Sequence, residues 1–206
     1  MSPSEPSAKA SQGLRRIVLI VALLNLAYFG IEFAVALAIG SVSLFADSVD
    51  FLEDASVNLL ILMALGWSLK ARARVGMGLA GILLVPALAT VWAIWTKVGA
   101  PLPPAPIPMT LTGLGALAVN LTCAVLLVRY RHHSGSLTRA AFLSARNDVF
   151  ANIAIITAGV ITAFTYSAWP DLVVGLGIMI MNADAAREVW RAARDEHRGA
   201  ALEAAP

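Results

Sequence analysis

Apolar residues fill six long stretches of the chain, separated by short polar, proline-containing or basic segments. A helix needs about 20 mostly apolar residues to cross a bilayer. The stretches that reach this length are residues 17–39, 43–65, 75–95, 109–128, 137–164 and 172–190. We therefore predict an all-α membrane protein with six transmembrane helices.

Composition agrees with this interpretation. Hydrophobic residues make up 59% of the 206 residues and charged residues only 14%, whereas soluble domains are about half apolar and about a quarter charged. Cys123 is the only cysteine, so one chain can form neither a disulfide framework nor a cysteine zinc cluster. The net charge of +2 comes from basic residues at the ends of the apolar stretches, and nothing in the pattern indicates nucleic-acid binding.

The basic residues predict the orientation in the membrane. They fall before helix one, between helices two and three, between helices four and five, and after helix six, at residues 9–16, 70–74, 129–139 and 187–198. Only Lys97 lies on the opposite side. The positive-inside rule then places both termini in the cytoplasm, and we expect the protein in the cell membrane, specifically a bacterial inner membrane.

The ends of the chain differ from its middle. Residues 1–14, rich in Ser, Pro and Ala, are predicted to be a disordered tail. Residues 15–192 form the predicted six-helix domain and residues 193–206 a short cytoplasmic tail. The "ALA" at residues 36–38 also has the form of a signal-peptide cleavage site. The apolar run before it is too long for a signal peptide and contains Glu32, and cleavage would leave an odd number of spans.

Carboxylates interrupt the second apolar stretch in "FADSVDFLED", residues 45–54. Successive residues of an α-helix are rotated by about 100°, so Asp47, Asp50 and Asp54 fall within roughly 60° of one another, while Glu53 lies to the side. Charged groups inside a bilayer are costly, face the interior of a helix bundle, and are functional candidates.

Two other helices carry oxygen ligands with helical spacing. Helix five has Ser144, Asp148 and Asn152 at i, i+4 and i+8, and helix one has Asn25 and Glu32 at i and i+7. A rise of about 1.5 Å per residue places Asp54 and Asp148 each about 16 Å deep, near the middle of a core about 30 Å thick. Taken alone, the asparagines could equally serve as polar contacts between helices.

This cluster predicts a site for a divalent cation at the membrane midplane. Neighbouring carboxylates in an apolar interior cannot all remain ionised without a cation, so some should carry protons when the metal is absent. Exchange of metal for protons follows from that chemistry. Asp47, Glu32, Asn152 and Asn25 are the candidates for accessory or proton-coupling groups.

The same segments resemble the cation diffusion facilitator family of divalent-metal transporters. The resemblance covers about residues 14–196 and is carried by "NLAYFGIEF", "GSVSLFADSVDFLEDA", "RAAFLSARNDVFANIAIITAG" and "WPDLVVGLGIMIMNADAAREVWRAARDE". It implies metal ligands at Asp50 and Asp54 of helix two and at Asp148 of helix five. The histidine usual in helix five of this family is replaced by Ser144, which leaves the metal preference open.

The resemblance implies an efflux transporter for Zn²⁺, Co²⁺, Cd²⁺ or Mn²⁺ by metal/proton antiport, with the metal as cargo and no cofactor. Many members have a cytoplasmic C-terminal domain that holds a dimer together. This chain ends at Pro206, so we expect a homodimer made by the transmembrane helices. The alternative function is a non-transporting membrane subunit or metal sensor.

An enzyme is disfavoured. Two intramembrane aspartates could indicate an aspartyl protease, but the Gly-x-Gly-Asp signature is missing, because "GLG" at residues 175–177 is followed by Ile178.

Overall fold

The computed structural model describes the backbone of residues 5–64, 88, 90–99, 101–128 and 135–181, and the side chains within these ranges except those of residues 5–11, 61, 63, 64, 135–144 and 146. These residues form six helices and no strand. The helices are α1 (Glu5–Ile39), α2 (Val42–Ala64), α3 (90–99), α4 (Pro106–Val128), α5 (Gly135–Thr165) and α6 (Trp169–Met181). The all-α prediction is confirmed.

The first helix begins earlier than the sequence pattern predicts. α1 starts at Glu5, so residues 5–14, expected in a disordered tail, are helical in this structure. Pro6 is compatible with this start because proline is tolerated in the first turn of a helix. Ala8, Lys9 and Ala10 are good helix formers, and they extend a helix that the apolar residues after them already stabilise.

A tight turn joins α1 to α2. Gly40 has a φ of 65°, the left-handed conformation that glycine adopts without steric cost, and the Ser41 N–H bonds to the Ala36 carbonyl at 3.0 Å. This geometry ends α1 in a Schellman motif. The Ser41 hydroxyl then accepts a 3.2 Å hydrogen bond from the Leu44 N–H, so the same serine is the N-cap of α2.

Four helices pack together around a core of small and branched side chains. α1 contacts α2 and α4, and α5 contacts α2 and α4. Alanines occupy many of the contact positions and allow the close approach typical of membrane helices. The buried cluster that joins these helices also includes one residue of α6; its members are Ala36, Leu44, Ala46, Met109, Ala151, Ile155, Ala158 and Ile178.

α3 and α6 meet the start of α2. Val42, Ala168 and Leu172 form a small buried cluster, against which Ala93 and Ile94 of α3 pack. The connections at residues 40–41, 101–105 and 166–168 lie at this end of the bundle, which we call the Gly40 end. The positive-inside rule predicts that it is the outer end. The basic residues 70–74 and 129–133 lie outside the described residues, so the orientation of the termini stays a prediction.

The outer surface of the bundle is apolar, as expected of a chain in lipid. Large hydrophobic side chains such as Leu23, Trp92 and Phe150 are more than half exposed. Among the described residues, three segments are by length and composition apolar enough to cross a membrane, namely Gln12–Ile39, Pro106–Val128 and Asn147–Thr165. α2 is long enough at 23 residues but carries four carboxylates, which is the feature that makes it a functional candidate.

Candidate metal-binding site

The carboxylates of α2 differ in burial along the helix. Asp47 is fully buried, with 0% of its surface exposed. Asp50, Glu53 and Asp54, farther from the Gly40 end, are partly buried. The side of α2 that carries Asp47, Asp50 and Asp54 therefore runs from a closed environment to a more open one.

α5 runs antiparallel to α2 and brings its carboxylate against this stripe. The Asp148 side chain lies within hydrogen-bonding reach of Asp54 and close enough to Asp50 for their charges to interact. One turn nearer the Gly40 end, Asn152 of α5 donates a 2.6 Å hydrogen bond to the Asp47 Oδ2 atom. This pairing sets the register between α2 and α5, since in an antiparallel pair each later residue of α5 meets an earlier residue of α2.

A chain of amides leads to Asp47. Asn120 of α4 donates through Nδ2 to the Asn152 Oδ1 atom at 3.0 Å, and Asn152 uses its own Nδ2 toward Asp47. A carboxylate only accepts hydrogen bonds, so it fixes the orientation of both amides. Asn120 belongs to no polar stripe in the sequence, so its spacing does not indicate that it orients Asn152. That role becomes visible only from its hydrogen bond to Asn152 of α5.

Glu32 of α1 faces the same carboxylate. Its side chain is 0% exposed and lies within hydrogen-bonding reach of Asp47. Among the described residues neither Glu32 oxygen meets a donor, and the Asp47 Oδ1 atom is also without one. Two carboxyl groups at this distance can hydrogen-bond to each other only if one of them carries a proton.

For the two remaining predicted residues, Asn25 and Ser144, the described side chains show no hydrogen bond to a carboxylate. Asn25 is fully buried on α1, its Nδ2 atom has no partner among the described residues, and its Oδ1 atom lies 4.0 Å from the Cys123 Sγ atom. Ser144 belongs to α5, one turn before Asp148, but its side chain lies outside the described ones. Its role as a ligand therefore stays a prediction.

The described side chains do not form a closed metal cage. No group of three or more His, Cys, Asp or Glu side chains within these parts of the chain is close enough together to hold a metal ion. The arrangement instead consists of the Asp54–Asp148 pair with Asp50 nearby, and the Glu32–Asp47 pair one turn toward the Gly40 end. Both pairs are built from oxygen ligands, which suit hard divalent cations best.

The comparison with protein families supports an ion-transport role for this architecture. Residues 18–196 match the family described as the cation efflux transmembrane domain. No curated protein matches the chain significantly. The family match covers most of the 206 residues and includes every residue of both carboxylate pairs. The chain therefore belongs to the cation efflux (cation diffusion facilitator) family of membrane transporters.

Proposed function

We propose that the protein exports divalent metal ions in exchange for protons, and that Asp50, Asp54 and Asp148 bind the metal. The observation that carries this proposal is the antiparallel register of α2 and α5, which puts Asp148 within hydrogen-bonding reach of Asp54 and close to Asp50. Ser144 is the proposed additional oxygen ligand, one turn from Asp148 on the same helix.

The chemistry of the Asp54–Asp148 pair favours exchange of metal for protons over simple metal binding. Carboxylates held together inside an apolar bundle repel one another, and the ionised forms are poorly solvated. A divalent cation removes the repulsion when it binds, and protons remove it when the cation has left. Each ion therefore displaces the other, which is the requirement for coupled antiport.

The Glu32–Asp47 pair is the proposed proton-coupling group. It lies one turn nearer the Gly40 end than Asp50, and Asn152 fixes the orientation of Asp47. A proton on this pair is the simplest way to satisfy its remaining oxygens, since both Glu32 oxygens and the Asp47 Oδ1 atom lack donors among the described side chains. Asn25 is the proposed accessory residue. It is buried on the same helix as Glu32, seven residues before it and therefore farther from the Gly40 end.

Transport would proceed by alternating access. Transporters with a site near the midplane commonly expose it to one side and then the other by rocking of helix groups around it. We place the protein in the cell membrane, with export toward the Gly40 end, and we propose a homodimer formed by transmembrane helices. Chemical crosslinking in the membrane, compared with the mass of the protein in detergent, tests the dimer independently of transport.

The test of function is a panel of metals in proteoliposomes. Uptake of Zn²⁺, Co²⁺, Cd²⁺ and Mn²⁺ is measured with and without a pH gradient, in vesicles with and without the protein. The proposal expects uptake of at least one of these ions above the empty-vesicle rate, driven by the gradient. Binding without uptake of any of them would instead identify a metal sensor or a non-transporting subunit.

A further inference from the structure

Asp171, at the start of α6, is the centre of a dense hydrogen-bond network. Its Oδ1 atom accepts from the Ser41 hydroxyl at 2.7 Å, from the Ser43 hydroxyl at 2.7 Å and from the Ser43 N–H at 3.0 Å. Its Oδ2 atom accepts from the Val42 N–H at 2.9 Å and from Lys97 Nζ at 2.8 Å. The carboxylate is 0% exposed, so it depends on these five donors for its stability.

The network joins three helices at one point. Asp171 belongs to α6, its backbone donors are the first N–H groups of α2, and Lys97 belongs to α3. Lys97 also donates to the Gly40 carbonyl in the α1–α2 turn. A negative charge at a helix N-terminus is favoured by the helix dipole and by the free N–H groups there. We call this set of residues, Ser41, Val42, Ser43, Lys97 and Asp171, the outer junction.

Close backbone packing reinforces the outer junction. Gly175 lies one turn after Asp171 on the same face of α6. A Cβ atom at Gly175 would come within 2.8 Å of the Val42 Cγ1 atom and 3.0 Å of the Ser43 nitrogen. α6 therefore lies directly against the first turn of α2.

The outer junction covers one end of the carboxylate stripe. Ser43 precedes Asp47 by four residues and Asp50 by seven, so it falls on the same side of α2 as the candidate site. At the Gly40 end, residues 41–44 and 46–49 are all buried, whereas Asp50 and residues 52–54 are partly exposed. An ion that leaves the site along this stripe toward the Gly40 end meets Ser43 and Asp171.

We propose that the outer junction is a latch that keeps the carboxylate site closed toward the Gly40 end, and that it opens when an ion leaves in that direction. The inference rests on the proposed function. The latch itself, however, concerns only which end of α2 is accessible from water. Loss of the Asp171 charge or of its Lys97 partner should shift the protein toward the state that is open at the Gly40 end.

Cysteine accessibility tests the latch without any metal, so its outcome is independent of whether the protein transports. Cys123 is the only cysteine, and Cys123→Ala gives a background without thiols. Ala46→Cys then reports on the buried part of α2 beside the carboxylate stripe, between the latch and Asp50, and Val57→Cys on the part of α2 beyond Asp54. Purified protein in nanodiscs, with both faces accessible, is labelled with a water-soluble maleimide.

The latch variants are Asp171→Asn and the milder Lys97→Gln, which leaves the four other hydrogen bonds of Asp171 in place. The matched control is Thr96→Val. Thr96 is the neighbour of Lys97, and its hydroxyl bonds to the Trp92 and Ala93 carbonyls of its own helix.

The latch predicts that both variants raise the labelling rate at Ala46→Cys by about tenfold, which corresponds to about 1.4 kcal/mol, without raising it at Val57→Cys. The control should leave both rates unchanged. Equal increases at the two reporters would mean general loosening of the bundle and would overturn the proposal. An unchanged rate at Ala46→Cys in Lys97→Gln, the variant least disruptive to folding, would also overturn it.

Discussion

Asn152 and Asp47 are 105 residues apart in sequence, yet the Asn152 Nδ2 atom donates a 2.6 Å hydrogen bond to the Asp47 Oδ2 atom. Both side chains are 0% exposed, where a hydrogen bond to a charged acceptor is stronger than one between neutral groups. The contact holds α5 in register with α2, and the same register places Asp148 against Asp54.

A double-mutant cycle on this pair tests whether it acts as a unit. Asp47→Asn should slow metal transport without abolishing it, because Asp47 lies one turn from the proposed metal ligands. Asn152→Ala should slow transport as well, because it removes the donor that orients Asp47. The two effects should be clearly non-additive, with a coupling free energy of about 0.5 to 3 kcal/mol, as for groups in one hydrogen-bond network. Complete loss of transport in Asp47→Asn would instead make Asp47 a primary ligand.

Removal of either member of the Asp54–Asp148 pair should abolish transport. Asp54→Ala and Asp148→Ala each delete a charged ligand, while the apolar replacement suits the membrane interior, so the protein should still insert. Membrane yield and proteoliposome uptake are measured together. Glu53→Gln is the matched control, since Glu53 is the carboxylate next to Asp54 but to the side of the stripe, and it should retain transport. Wild-type uptake by either alanine variant would show that the site has been assigned to the wrong residues.

Replacement of Ser144 should change the metal preference. An all-oxygen site suits harder cations such as Mn²⁺, whereas imidazole favours Zn²⁺ and other borderline metals. By the Irving–Williams order Zn²⁺ binds the natural site more tightly than Mn²⁺, but by a smaller margin than at a site with histidine. Ser144→His should therefore raise Zn²⁺ affinity over Mn²⁺ affinity by about tenfold, or about 1.4 kcal/mol.

Binding titrations of both metals on both proteins decide this prediction, with Ser56→His as the control. Ser56 is on α2, and its hydroxyl bonds to the Leu52 carbonyl of the same helix, so a histidine there should leave the Zn²⁺/Mn²⁺ ratio unchanged. If Ser144→His also leaves the ratio unchanged, Ser144 does not face the metal, and Asn152 or a residue of α1 completes the site.

Local sequence patterns predict the helices and the polar stripes well, because both depend on short-range spacing. The break at Gly40 and Ser41 contains the residues that end α1 and cap α2. Similarly, the position of Asp47 and Asp54 on one side of α2 follows from helical geometry alone.

Contacts between distant segments are what the sequence does not reveal. Asp171 occurs in "SAWPD", a segment whose composition is typical of a loop, and Lys97 is the only basic residue predicted on its side of the membrane. The ion pair between them joins residues 74 positions apart, and the bonds from Asp171 to the start of α2 span about 130 positions. Such pairs depend on how helices are arranged in the bundle. Asn120 is a similar case, since its function appears only when α4 and α5 are packed together.

Exchange of a divalent metal for protons at the carboxylates of α2 and α5 can be followed as proton movement in proteoliposomes. A trapped pH indicator follows protons while the transported metal is added outside, for the wild-type protein and for Asp148→Asn. Coupled exchange predicts metal-dependent proton efflux with the wild-type protein, metal uptake that weakens when the pH gradient is removed, and neither effect with Asp148→Asn. Metal uptake by the wild-type protein without proton countermovement, and indifferent to the gradient, would contradict exchange and indicate a channel or facilitator.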